Sequence, residues 1–214
     1  SLLDVDDPVS AFVPDIAHSE DYTEELTLKH LLTHTAGFDE RSFLRRTSDP
    51  NKVPDLGEYL FKRMPPRIMP AGEFHVYSNH GIALAGHLLE RRTGQSFVAY
   101  IQERLFAPLV MQNSHFELPT EADPHAALGY ETFRDSTRIA PFDHIKTVPA
   151  SMLSSTADDM AQFILMLANG GSVGERRILK SESVRQLFAP HFQYHPRMSS
   201  IGLVFRIDRM NGHK

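Results

Sequence analysis

Tyr77-Ser78-Asn79 is where residue types and spacing most directly suggest chemistry. A phenol and a carboxamide two positions apart, on a loop that enters a helix, can point into one cleft. A phenol shuttles a proton when a neighbouring cation lowers its pKa from about 10. A carboxamide donates to a substrate carbonyl while accepting from a lysine or a substrate N–H. The plain alternative is a loop whose asparagine caps the helix that follows.

Two other patterns invite chemical readings. Gly170-Gly171-Ser172-Val173-Gly174 satisfies Gly-x-Ser-x-Gly, the strand-to-helix turn that exposes the serine of α/β-hydrolases. Here helical periodicity precedes the motif and Glu175-Arg176-Arg177 follows it, so a turn at a helix C-terminus is expected instead. His30 and His34 are four apart, as are His191 and His195. Zinc hydrolases use that spacing with a glutamate directly after the first histidine. Leu31 and Phe192 stand in that place, His34 falls where a helix is ending, and Pro196 follows His195. No metal site and no other cofactor is expected.

The elements that must position these residues are mostly helical. Thr27 caps a short helix through Leu28, Leu31 and Leu32, ending near Gly37. Pro54 suits the first turn of a helix carrying Leu56, Tyr59 and Leu60, which Pro65-Pro66 stops. The spacing predicts a helix over about 80–93, with Ile82, Ala85 and Leu89 on one face and Gly94 as its stop. Ser96 opens another through Phe97, Tyr100, Ile101 and Leu105, before Pro108. Residues 113–149 are polar and turn-rich and read as a surface wrap. Thr156 caps the clearest helix, with Asp158 and Asp159 as first-turn charges and Gly170-Gly171 at its end. Its buried face is expected to hold Met160, Phe163, Ile164 and Leu167. Ser181 opens a last short helix through Val184, Leu187 and Phe188. Residues 201–208 alternate apolar and polar, as a half-buried strand does, and Asn211-Gly212 supplies a hairpin turn.

Composition narrows the field. A chain of 214 residues fits one large domain or two packed lobes. Its 41% apolar and 23% charged residues are those of an ordinary globular protein. A net charge of −5, with basic residues scattered in pairs such as Arg45-Arg46 and Arg91-Arg92, gives no case for nucleic acid or anionic lipid. There is no cysteine, which excludes disulfides and thiolate chemistry but assigns no compartment. No apolar run approaches the roughly 20 residues that span a bilayer.

Around Tyr77 the sequence reads Pro70-Ala71-Gly72-Glu73-Phe74-His75-Val76-Tyr77-Ser78-Asn79, then Gly81-Ile82-Ala83-Leu84-Ala85-Gly86. Thr93-Gly94-Gln95-Ser96-Phe97 and Leu105-Phe106-Ala107-Pro108-Leu109-Val110-Met111 follow. Upstream stand Asp6-Asp7-Pro8-Val9, Phe12-Val13-Pro14 and Leu31-Leu32-Thr33-His34-Thr35-Ala36-Gly37-Phe38. Downstream runs Val148-Pro149-Ala150-Ser151-Met152-Leu153-Ser154-Ser155-Thr156-Ala157-Asp158-Asp159-Met160. Over nearly the whole chain, in order, this resembles the serine β-lactamase, DD-peptidase and family VIII esterase superfamily, in its class C-like branch. The resemblance implies an α+β, helix-rich fold: an antiparallel sheet flanked by helices, with a helical lobe beside it. It implies acyl transfer through a serine ester, with Tyr77 as catalytic proton shuttle and Asn79 as a substrate-binding contact.

Members of that superfamily also carry Ser-x-x-Lys, upstream of the segment matching Asp6-Asp7-Pro8-Val9, and Lys-Thr-Gly or His-x-Gly on a later strand. No serine in these 214 residues has lysine three positions on. Gly212-His213-Lys214 does not sit where the third motif belongs. Residues 1–214 are therefore expected to be a partial domain, mainly the helical lobe with a remnant of the sheet, and to be inactive alone. A small-molecule acyl substrate is expected for the parent protein. Self-association through an exposed lobe or strand edge is expected for the piece. A non-catalytic binding or scaffold module on the same fold is the alternative, and a hydrolase using Ser172 a third.

Overall fold

Two apolar clusters organise the chain, and the loop bearing Tyr77 leads into the helix at the centre of the first. The computed structural model describes residues 2–14, 22–41, 43, 45–118 and 125–211.

Helix α1 (Leu28–Leu32) opens in a capping box, in which the Thr27 N–H donates to His30 Nδ1 at 3.2 Å. It closes before Gly37, through a left-handed His34 at φ 55. The His34 N–H bonds to the Leu31 carbonyl at 3.2 Å and the Thr35 N–H to the His30 carbonyl at 2.9 Å. That pairing is a Schellman stop with histidine where glycine is usual. Helix α2 (Leu56–Arg63) is capped by Asp55, which accepts from the Gly57 and Glu58 N–H groups. Pro54 therefore stands just outside the first turn.

Helix α3 (Asn79–Thr93) ends, as its sequence predicts, at a left-handed Gly94 with φ 71. Its cap is Ser78, whose Oγ accepts from the Gly81 N–H at 3.0 Å. The capping role offered for Asn79 is thus filled by its neighbour, which leaves the amide to other partners. The buried residues of α3 are His80, Gly81, Ala83, Leu84, Gly86 and Leu88. Ile82, Ala85 and Leu89 are half-buried rather than the core face, because α3 is covered from several sides. Leu31 of α1 and Leu60 of α2 share its cluster. On another side Gly86 lies against Pro149, where an added Cβ would come within 2.5 Å of Cγ. Fully buried leucines such as Leu31, Leu60 and Leu84 each contribute about 1.5–3 kcal/mol.

Helix α4 (Phe97–Ile101) does not stop before Pro108. It passes into a π-helical turn, Gln102–Phe106, and then one α turn, Ala107–Leu109. Proline clashes with the carbonyl four residues back in a regular α-helix, and the wider π turn displaces that carbonyl. Short α5 (Val148–Ser151) carries Pro149. Helix α6 (Ala157–Ala168) is capped by Thr156 and buries Asp159 and Met166. The second cluster joins Met166 to Phe106, Leu109 and Met111, with Met160, Phe163 and Leu167 partly buried beside them. Ile164 was expected on that face but is 60% exposed: α6 carries more apolar positions than one packed face can cover. Helix α7 (Ser181–Leu187) is the last.

Strands are short. They are β1 (Arg46–Thr47), β2 (Tyr130–Phe133), β3 (Ser136–Ile139), β4 (His144–Ile145), β5 (Ser172–Val173), β6 (Arg176–Arg177), β7 (Ser200–Ile201) and β8 (Arg206–Ile207). Among the described residues they form two-stranded antiparallel ladders: β1 with β4, β2 with β3, β5 with β6, and β7 with β8. The β2–β3 hairpin is wholly exposed and lies within the stretch read as a surface wrap. The continuous strand expected over 201–208 is instead broken at its centre. Gly202 presses on the Leu187 carbonyl, 2.2 Å from where a Cβ would stand. Val204 takes φ 60 and its N–H bonds to the Leu32 carbonyl at 2.8 Å. The turn expected at Asn211-Gly212 begins with Asn211 at φ 50. Gly212 and His213 lie outside the described residues. The architecture is α+β and helix-rich, a helical lobe with small antiparallel ladders at its margins.

Candidate active site

Two backbone bonds bring the Tyr77 loop to the end of α1. The Gly72 N–H donates to the Thr35 carbonyl and the Val76 N–H to the His34 carbonyl, both at 2.8 Å. Tyr77 then stands just ahead of α3, with its ring on that of His34 at 4.6 Å between centroids. It remains 57% exposed. Its hydroxyl donates to Asn79 Oδ1 at 3.3 Å. The two residues singled out by sequence are thus side by side.

Behind them lies Glu40, which no sequence signal marked. Its Oε1 accepts from Asn79 Nδ2 at 2.9 Å. Its Oε2 accepts from Ser78 Oγ at 3.0 Å and His80 Nδ1 at 3.3 Å, with the His80 N–H at the outer limit, 3.5 Å. An ionised carboxylate only accepts, so His80 carries a proton on Nδ1. Its Nε2 lies 3.1 Å from the Tyr59 hydroxyl. His80 and Tyr59 are buried, at 1% and 4% exposure. Burial alone would raise the Glu40 pKa, but the hydrogen bonds from His80 and Asn79, the electrostatic pull of His80 and the Ser78 hydrogen bond outweigh it and hold the carboxyl at about 2. Burial raises the Tyr59 phenol, keeping it a donor.

On its other side Asn79 meets α5. Ser151 Oγ donates to Asn79 Oδ1 and receives from Arg45 Nη1, both at 3.5 Å. Arg45 Nε is buried with no hydrogen-bond partner among the described residues.

His34 holds the loop from beneath. Its Nδ1 accepts from the Ser78 N–H at 3.2 Å, which requires a neutral ring. Burial, and then neighbouring His75, lower its pKa to about 4 despite Glu40. The left-handed backbone at His34 costs about 1–2 kcal/mol relative to glycine, and it aims this ring at both Ser78 and Tyr77. Among the described residues, no lysine or arginine hydrogen-bonds to the Tyr77 hydroxyl.

The remaining patterns take structural places. Ser172 begins β5 after α6 and two left-handed glycines, Gly170 at φ 64 and Gly171 at φ 100, not between a strand and a helix. His30 Nδ1 serves the α1 cap and His34 Nδ1 the Ser78 N–H. His191 Nε2 bonds to the Gln186 carbonyl and His195 Nδ1 to the Arg197 N–H. Among the described residues, no group of three or more His, Asp or Glu side chains is placed to hold a metal.

The sequence and the fold are similar to those of known proteins. The model of the family described as Beta-lactamase matches residues 1–198. A beta-lactamase from Yersinia enterocolitica is 26% identical over 170 residues, covering 76% of this chain and 39% of that protein. The class C beta lactamase from Rhodobacter sphaeroides superposes with a TM-score of 0.66 at 26% identity, covering 96% of this chain and 54% of that one. A penicillin binding protein from Bacillus halodurans reaches a TM-score of 0.75 at 23% identity, covering 99% and 63%, and shows the shared fold. The chain spans less than half the length of the curated relatives it matches. A family match over 198 residues, on a fold shared with class C and penicillin-binding structures, shows that the chain belongs to the beta-lactamase family of serine hydrolases.

Proposed function

We propose that these residues form one wall of an acyl-transfer site in a serine hydrolase that acts on β-lactams, small esters or D-amino-acid peptides. Tyr77 is the proton shuttle and Asn79 the substrate contact. The observation that carries this reading is the hydroxyl of the exposed Tyr77, set 3.3 Å from the Asn79 carbonyl oxygen. A serine Oγ attacks the substrate carbonyl carbon while its proton passes, through a lysine and Tyr77, to the leaving nitrogen or oxygen. Water then attacks the acyl-enzyme carbonyl, the ester bond to serine breaks, and the same groups carry a proton from that water to the serine oxygen. Because no serine here is followed by lysine at the third position, the nucleophile and its lysine come from sequence outside these 214 residues. The chain alone is inactive on this account.

Kinetics of the longer protein that contains these residues test the assignment. With a chromogenic cephalosporin and a nitrophenyl ester as substrates, Tyr77→Phe should lower kcat/KM by about 10²–10⁴, the usual range for losing a general acid–base group. A Tyr77→Phe enzyme within twofold of wild type on every hydrolysed substrate would remove Tyr77 from the mechanism.

A further inference from the structure

Asn79 can present either end of its amide to a ligand, and the structure determines which. Exchanging the two ends would set a carbonyl oxygen against the Glu40 carboxylate at 2.9 Å, where neither atom can donate. The Tyr77 and Ser151 hydroxyls, which now donate to Oδ1, could accept from an NH2 group instead, so the Glu40 contact decides. One orientation satisfies all of these groups. In that orientation the amide lies between a carboxylate on its nitrogen side and, through Ser151, the Arg45 guanidinium on its oxygen side. The amide dipole is therefore aligned with the field of both charges.

Glu40 is not needed as the helix cap. Ser78 Oγ already accepts from the Gly81 N–H and donates its own hydrogen bond to Glu40. The carboxylate is instead shared among the side chains of three successive residues, Ser78, Asn79 and His80. The α3 N-terminus favours a negative charge there. His80, locked between Glu40 and the buried Tyr59 hydroxyl, keeps the carboxylate from swinging away.

We propose that Glu40 is a positioning residue of this site: its carboxylate holds Asn79 Nδ2 and so fixes Asn79 with Oδ1 turned toward the Tyr77 and Ser151 hydroxyls. This rests on the acyl-transfer reading above.

The test begins with the 214-residue chain and needs no activity. Side-chain amide exchange read by 1H–15N NMR should show the Asn79 protons exchanging at least tenfold more slowly than those of Asn51, an exposed asparagine. In Glu40→Gln the Asn79 rate should rise to the Asn51 rate, while the backbone amides of Ala83, Leu84 and Leu88 stay protected. An unchanged Asn79 rate with α3 protected would overturn the proposal. So would loss of α3 protection, since Glu40 would then be holding the helix and not the amide. Ser151→Ala is the second variant. It removes a donor from the oxygen side and should leave the Asn79 rate within about threefold of wild type; full release by Ser151→Ala would place the lock on the wrong side. In the longer protein, Glu40→Gln should lower kcat by about 10²-fold, the cost of a misplaced contact, with KM changed less than threefold. A wild-type protein that hydrolyses no acyl substrate would count against the acyl-transfer reading and leave the exchange result standing.

Discussion

At Asn79 and Tyr77 the chemistry depends on what stands behind the side chains. The motif itself was legible, because three adjacent residues before a helix are a local pattern. Glu40 was not legible, since it lies 39 positions from Asn79 and their contact exists only when the α1–α2 connection folds against α3. His34 was visible as a helix-ending residue, but its left-handed backbone and its contact with Tyr77 are tertiary facts. These groups also set a pH response. His34 has a folded pKa near 4, below its ordinary 6.5. The unfolded chain therefore binds the extra proton first, and stability present above about 6.5 declines as pH falls toward 4. Glu40 is held at about 2 against an ordinary 4.5. Its contribution is complete above about 4.5 and is lost as pH falls through that window toward 2. Urea melts of the chain between pH 7 and pH 3 should show the first decline blunted in His34→Asn and the second in Glu40→Gln. Parallel pH dependence in wild type and both variants would show that neither group is responsible.

Among the elements, the helices were well marked because caps and stops are local chemistry. Thr156, Ser96 and Gly94 do what their types suggest. The strand over 201–208 was misread because alternation reports which residues are buried and says nothing of whether the backbone runs straight. The break is imposed by Leu187 pressing on Gly202 and by Leu32 receiving the Val204 N–H. Asp159 shows the same limit. It was read as a first-turn charge, yet it is 4% exposed and accepts from the Asn113 N–H at 2.8 Å and Ser114 Oγ at 2.7 Å. It thereby ties the segment after the π turn to the start of α6. Asp159→Ala strands those donors and should destabilise the chain by about 1–3 kcal/mol, measured by chemical denaturation. Asp158→Ala, at an exposed neighbour, should cost less than about 1 kcal/mol. Equal effects would show that Asp159 acts only through the helix dipole.

For the molecule as a whole, the family resemblance was legible because its segments follow one another in order along most of the chain. Which surfaces stay uncovered was not. Ile164 and Leu165 on α6 are 60% and 50% exposed, and Leu153 and Val204 are 47% and 48% exposed. Apolar surface of this kind, with short strands at its margins, favours association. Multi-angle light scattering of the 214-residue chain should give a mass above 24.2 kDa that rises with concentration, and Ile164→Lys with Leu165→Glu should lower it. A clean monomer at every concentration would contradict this expectation. The central claim, that these residues hold the tyrosine and asparagine of an acyl-enzyme site and not its nucleophile, is tested most directly by intact-mass analysis after penicillin or a fluorophosphonate. The account predicts no adduct on this chain and one adduct per molecule of the longer protein, on a serine outside these residues. A stoichiometric adduct on any serine of this chain, Ser172 above all, would contradict it.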